Sequence, residues 1–158
     1  GGIRGDRQLK AIMPSGASAP ILPATDAVLD TPMTYEDLPR VGSQLGSASV
    51  IVMDETVDIS WAAAKTTRFF KHESCGKCTP CREGTYWMDR LMQRINNGRG
   101  ALADIALLRE VAQQIAGKCL CPLGEFSISA VVSGLELFGD DFGNGAGNGN
   151  TPEASRSG

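Results

Sequence analysis

Residues 73–84 read ESCGKCTPCREG, and Cys75, Cys78 and Cys81 stand three positions apart in a frame of Gly76, Thr79 and Pro80. Three thiols at this spacing read as metal ligands. A cubane [4Fe-4S] cluster needs four thiolates at four corners, and two-residue spacers let a turning backbone aim successive sulfurs at successive irons. The fourth thiolate must come from elsewhere in the chain. Cys121, followed at once by Pro122, fits that role and stands just before a helical pattern; Cys119 is the alternative, or else a small half-buried residue. Four cysteines also suit structural zinc, although zinc sites usually arrive as two Cys-x-x-Cys pairs. Inert thiols are the third reading. All five cysteines lie between 75 and 121, and with no apolar leader among the first ten residues the set does not read as a disulfide framework. The single histidine, His72, cannot support a two-His site.

Outward from the cysteine run the apolar period is helical. Ile59, Ala62, Ala63, Thr66, Phe69 and Phe70 share one stripe after Asp58, a candidate N-cap, and this helix is expected to end near His72. A second is expected from about Arg82, with Trp87, Met88, Leu91, Met92 and Ile95 inward and a left-handed stop at Asn97 or Gly98. A third spans about 101–116, with Leu102, Ile105, Leu108, Ala112 and Ile115 inward. A fourth follows Pro122 and carries Phe126, Ile128, Val131, Val132, Leu135 and Phe138. Four such helices with short connections suggest a small four-helix bundle. In an up-down arrangement the two cysteine-bearing loops lie at the same end. Tyr86, Trp87 and Phe69 read as core packing, and Glu73 and Arg82 as a solvated pair. Lys71, Lys77, Arg82 and Lys118 place positive charge around the thiols.

Before residue 56 the chain is strand- and loop-rich. Leu9–Met13 and Ile21-Leu22 are short apolar pieces bounded by Pro14, Gly16, Pro20 and Pro23. Thr34 and Asp37 suggest a capped helical turn. Val50–Met53 reads as a strand buried on both faces. The class is therefore α+β, with a strand-rich unit over 1–55, a helical unit over 56–139 and a Gly/Asn-rich tail over 140–158 expected to be disordered. The composition, 42% hydrophobic and 21% charged with net charge −3, is that of an ordinary globular chain and argues against a general nucleic-acid binder. No apolar run reaches the roughly 18 residues of a membrane span, so no direct membrane insertion is expected.

The stretch KHESCGKCTPCREGTYWM (71–88), followed by CPLGE (121–125), closely resembles the family of NADH-binding, FMN-carrying subunits of respiratory complex I (NADH:quinone oxidoreductase, F type) and the related flavoprotein subunits of NAD-linked hydrogenases and formate dehydrogenases. GSQLGSASVIVMDETVDI (42–59) resembles the segment preceding that family's cysteine loop, and AIMPSGASAPIL (11–22) its Pro-Gly-Gly-Ser-Ser-type loop, with Ser15 and Ala17 departing from the pattern. The resemblance covers about residues 1–138. It implies a partial ubiquitin-like β-grasp of the soluble-ligand-binding type, then a four-helix bundle with one [4Fe-4S] cluster on Cys75, Cys78, Cys81 and Cys121. The family's fourth cysteine precedes a short residue, Leu and Gly, as in Cys121-Pro122-Leu123-Gly124.

Electron transfer is the implied function: from NADH-reduced FMN, through this cluster, to the peripheral-arm iron–sulfur subunits of complex I or an equivalent complex, towards quinone. The alternatives are a hydrogenase or formate dehydrogenase diaphorase subunit and, in another class, a zinc-stapled interaction module. No residue matches the family's glycine-rich FMN and NADH site, so those cofactors are expected in a missing upstream domain, which a separate flavin-domain chain could supply. The chain reads as a fragment, a truncated gene or half of a split subunit. It offers no acid, base or nucleophile and is not expected to oxidise NADH alone. The expected location is cytoplasmic, peripheral to the inner face of a bacterial membrane, or on the mitochondrial matrix side.

Overall fold

A computed structural model describes residues 2–143. The first unit is a three-stranded antiparallel sheet of order β2–β1–β3, from β1 (Leu9–Met13), β2 (Leu22–Pro23) and β3 (Ile51–Asp54). Ala11 pairs with Pro23 on one side and with Met53 on the other, across a bulge between Leu9 and Ala11. The period-2 alternation of a strand sends Ala11, Met13 and Met53 inward. Val50, Ile51 and Val52 are exposed and only Met53 of the apolar run at 50–53 is buried, a correction to the expectation of burial on both faces. The reason lies in the packing: of the β3 side chains, only Met53 joins the core shared with the helices.

Short elements fill the connections. One is α1 (Asp26–Leu29); the other is a 3₁₀ turn over Leu38–Val41, which has no side-chain cap, the Thr34 hydroxyl accepting the Asp37 N–H at 3.0 Å in the turn before it. Ser15, the departure in the Pro-Ser-Gly loop, is buried, and its hydroxyl accepts the Ser47 N–H at 3.0 Å. Gly46 sits against that hydroxyl with φ +45, where any Cβ would collide with it.

Four longer helices follow: α2 (Ile59–Glu73), α3 (Thr79–Asn96), α4 (Leu102–Ile115) and α5 (Leu123–Leu137). Asp58 caps α2 by accepting the Trp61 N–H at 2.9 Å. At α4 the residue in the cap position is Ala101, which has no acceptor; the Asp104 carboxylate instead accepts the Ala101 N–H at 2.8 Å. The periodic residues pack as expected at Ile59, Ala63, Phe70, Met88, Met92, Ile95, Leu108, Ile115 and Val131. Apart from Ala63, which contributes less, each such side chain contributes about 1.5–3 kcal/mol on burial. Phe69, Trp87, Tyr86 and Leu102 are exposed instead, and Thr67 takes the inward position next to Phe70. The apolar stripes are narrower than the clusters of apolar letters, and the flanking members lie outside the buried arc.

One continuous core joins Ala11, Met13, Ile21 and Met53 of the strand-rich region to all four helices. Polar contacts reinforce the junction. The Ile21 N–H donates to Ser133 Oγ at 2.8 Å, and Lys10 Nζ donates to Asp141 Oδ2 at 2.6 Å.

The composition predicts disorder from residue 140 onward, and the first part of that tail is ordered instead. Gly139–Gly143 forms a short helix, α6, in which Phe142 is completely buried against Gly134 and Ile59. Asp141 also accepts the Ile59 N–H at 2.7 Å. One aromatic ring and one carboxylate outweigh the glycine-rich composition locally. The rest of that expected tail, 144–158, lies outside the described residues.

Candidate metal centre

The cysteine run begins where α2 ends. Ser74 is extended and closes α2 through its N–H to Phe70 O at 2.9 Å. Gly76 takes φ +75, which reverses the chain. Its carbonyl accepts from Arg82 Nη1 at 2.6 Å, while Arg82 Nε pairs with Glu83 at 2.8 Å. Arg82 is thus a clamp on the cysteine loop rather than a partner of Glu73. Glu73 pairs with His72 at 2.9 Å, and the His72 side chain is 87% exposed.

The helix after the loop starts at Thr79, three residues earlier than its apolar period indicates. Pro80 makes this start favourable, since its fixed φ suits the first turn and its missing N–H would have had no helical partner there. Cys78 therefore occupies the N-cap position, and Cys81 lies within the first turn, buried. The Cys78 carbonyl accepts the Arg82 N–H at 2.9 Å. Ser74 Oγ lies 3.3 Å from Cys81 Sγ.

The second loop runs from the end of α4 to α5. Gly117 takes φ +69, and its N–H donates to Glu125 Oε1 at 2.6 Å. Cys119 is half-buried against Gly124, and Cys121 is exposed, two residues before α5. The two loops meet: the Leu120 N–H donates to Cys78 Sγ at 3.3 Å. Burial pushes the Cys119 thiol up, and negative charge on Cys81, Cys78 and Cys121 adds to that rise. These thiols therefore share one electrostatic neighbourhood at the end of the helices, with Cys75 exposed on the first loop.

Among the described residues, no three His, Cys, Asp or Glu side chains converge on a point where they could hold a single ion. The donor chemistry suits a cluster better than an ion. A cubane spreads its four thiolates over four irons, whereas zinc draws four sulfurs to about 2.3 Å from one centre. Two adjoining loops carrying free thiols fit the former, with an N–H already directed at a sulfur and α3 and α5 presenting positive N-termini.

Two features escape a reading of the sequence. Leu120 contributes through its backbone alone, so its side chain, 83% exposed, gives no sign of it. Asp89 is buried on α3 and accepts from Lys71 Nζ at 2.6 Å and Gln93 Nε2 at 2.9 Å. That pair ties the last turn of α2, just before the cysteine loop, to α3. A carboxylate beside the apolar stripe at Met88 is its only trace in the sequence.

Comparison with known proteins gives the chain a family. Residues 61–145, more than half of the chain, match the family model described as the NADH-ubiquinone oxidoreductase-F iron-sulfur binding region. The chain is 44% identical over 142 residues to the F subunit of the NADH-quinone oxidoreductase of Mycobacterium tuberculosis, covering 90% of this chain and 32% of that protein. It is 46% identical over 129 residues to the protein of the same name in Rhodobacter capsulatus, covering 79% of this chain and 29% of that protein. It thus spans about a third of the length of these relatives. Among solved structures, an NAD+-reducing [NiFe]-hydrogenase in the H2-reduced state superposes with a TM-score of 0.80 at 27% identity, covering 89% of this chain and 24% of that chain. The match of the family model across both cysteine loops places the chain in the NADH-ubiquinone oxidoreductase-F iron–sulfur binding family.

Proposed function

We propose that the chain holds one [4Fe-4S] cluster on Cys75, Cys78, Cys81 and Cys121 and serves as the electron-transfer part of the flavoprotein subunit of an NADH:quinone oxidoreductase. The observation that carries this reading is the meeting of the two cysteine loops, marked by the Leu120 N–H on Cys78 Sγ. When bound, a [4Fe-4S] cluster takes up and gives up one electron at a time. The residues of the chain would set how readily that happens. The Leu120 N–H and the N-termini of α3 and α5 stabilise added negative charge, and so favour the reduced state. Cys81, buried beneath the loop, gives one ligand a site shielded from water.

Cys121 is preferred over Cys119 because the Cys-x-Leu-Gly pattern of the family falls on it and because Cys119 already packs on Gly124. The strand-rich region, 1–55, is assigned as part of a β-grasp unit and 56–139 as a four-helix bundle. FMN and NADH belong, in this reading, to another part of the flavoprotein subunit. The partners are the peripheral-arm iron–sulfur subunits of the complex, on the cytoplasmic or matrix side of the membrane. Among the described residues no helix is long and apolar enough to cross a membrane. A second reading, the diaphorase subunit of an NAD-linked hydrogenase, is favoured by the TM-score of 0.80. The 44% identity to a quinone oxidoreductase subunit, against 27% for the hydrogenase, ranks it second.

The test is iron and acid-labile sulfide per chain, with EPR of the reduced protein after anaerobic preparation. About four irons and four sulfides, with a signal on reduction, are expected. A colourless protein with one zinc and no sulfide would replace electron transfer with a structural role.

A further inference from the structure

The charge of this chain is unevenly placed. Residues 59–99 hold eight Lys or Arg against three Asp or Glu, a net +5 in a chain of net −3, which leaves −8 for the rest. Much of the excess lies on one face, where α2 and α3 run side by side. Lys65 and Arg68 follow Trp61 at helical spacing on α2, and Arg90 and Arg94 follow Tyr86 on α3, with Arg99 just beyond the end. All five cations are exposed. Among the described residues, only Arg94 has a carboxylate partner, Asp104 at 3.2 Å. The other acid near this face, Asp89, is buried and already paired with Lys71.

The face is also shaped. A groove between α2 and α3 is lined by Lys65, Arg68, Gln93 and Asn97, and a second cleft by Arg90, Arg94 and Arg99 shares Gln93 and Asn97 with it. The two form one continuous cationic surface with amide groups along its middle. Guanidinium forks recognise carboxylates in two-point fashion, and amides add neutral hydrogen bonds.

The aromatic rings here distinguish among anionic partners. Lys65 Nζ sits 5.2 Å from the Trp61 ring centre, while Tyr86 lies between Lys71 Nζ at 5.2 Å and Arg90 Cζ at 5.4 Å. Trp61 and Tyr86 lie on different helices and offer no row of rings on which successive bases could stack. A membrane-surface helix would need its apolar stripe outward, whereas Ile59, Ala63, Met88 and Met92 are turned into the core. We infer that the α2–α3 face docks an Asp/Glu-rich surface of a protein partner. This surface is distinct from the cysteine loops, and the inference holds whether or not the cluster assignment does.

The probe is a fluorescein-labelled poly-L-glutamate peptide, titrated with the full chain at low ionic strength and again at rising salt. Binding that weakens with salt is expected. Arg68→Glu/Arg90→Glu should weaken it by at least about tenfold, and Arg68→Gln/Arg90→Gln by less. The control Arg4→Glu/Arg40→Glu changes net charge equally, away from this face, and should shift Kd by less than about twofold. Equal loss in both charge-reversed pairs, or no binding at low salt, overturns the inference. So does tighter binding of oligothymidylate or phosphatidylserine vesicles at the same ionic strength. Salt-sensitive dimerisation in sedimentation would make a second copy the occupant and would equally overturn it. Circular dichroism melts of each variant establish that the fold is intact.

Discussion

The helical region and the strand-rich region solve the same problem to different degrees. In α2–α5 the inward stripes meet one another, and Met88, Met92, Ile95, Leu108, Ile115 and Val131 have no exposure to speak of. In the sheet only one face is covered; Val50 and Val52, on the edge strand β3 and its approach, remain about half exposed. All five thiols belong to the helical region. The difference teaches that the site rests on a helical scaffold whose stripes supply most of the core, to which the strands contribute Ala11, Met13, Ile21 and Met53. The strands add a layer on one side of that scaffold and carry none of the thiols.

The most drastic way to break this contrast is at the thiols. Cys75→Ser, Cys78→Ser, Cys81→Ser or Cys121→Ser should each abolish nearly all bound iron, while Cys119→Ser retains it and Val50→Thr/Val52→Thr leaves it unchanged. Iron and sulfide per chain measure all of these. Iron that survives Cys121→Ser and disappears with Cys119→Ser would exchange the two assignments. Iron lost with the β3 pair would show that the sheet supports the site after all.

The next effect concerns the seam between the regions. Asp141 joins Lys10 of β1 to the start of α2, and Phe142 fills the space beside Gly134. Phe142→Ala should cost about 3–5 kcal/mol, as expected for emptying a buried aromatic site. Removal of residues 140–158 should cost at least as much, because it also takes Asp141. Denaturant unfolding measures both. If the truncated chain unfolds at the wild-type midpoint, the described part of the tail holds nothing together.

These tests bear on what is legible in the sequence. Helix positions are readable because the 3.6-residue period, Asp58, Gly98 and Gly117 act locally. The candidate metal ligands are readable because spacing carries the chemistry. What escapes depends on distant partners. The exposure of β3 follows from where the helices pack, on Met53 alone, and the burial of Asp89 from Lys71, eighteen positions away. The start of α3 is hidden because Thr79 and Pro80 look like loop residues until Pro80 is counted as a first-turn residue. Phe142 disappears in a composition average, since a single buried ring has no periodicity to betray it.

A finer comparison lies within the helical region, where the two cysteine loops touch. A Cβ on Gly124 would stand 2.6 Å from Cys119 Sγ and 2.7 Å from its Cβ. Gly124→Ala should therefore destabilise by about 1–3 kcal/mol through overpacking. Cys119→Gly in that background removes both colliding atoms and should restore part of the loss. The double-mutant cycle isolates this contact from the helix-propensity gain of alanine. A purely additive pair would mean that Cys119 does not press on Gly124 in solution.

The smallest effect belongs to the strand-rich region and is read through pH. The Asp54 carboxyl is held below its ordinary 3.8, first by the Thr56 hydroxyl, then by the Arg7 guanidinium, which lies 3.0 Å away, and by the Thr56 N–H. A carboxyl with a depressed folded-state value stabilises the fold at every pH above its unfolded value, and loses that contribution as pH falls through the folded value. Thr56→Val removes the hydroxyl but keeps the backbone N–H. The variant should melt slightly below wild type near neutral pH, and the gap should close in acid, where Asp54 is protonated in both. A gap that persisted unchanged into acid would show that Thr56 acts through packing rather than through the carboxylate. It would also leave the edge of the sheet with less electrostatic support than its hydrogen bonds suggest.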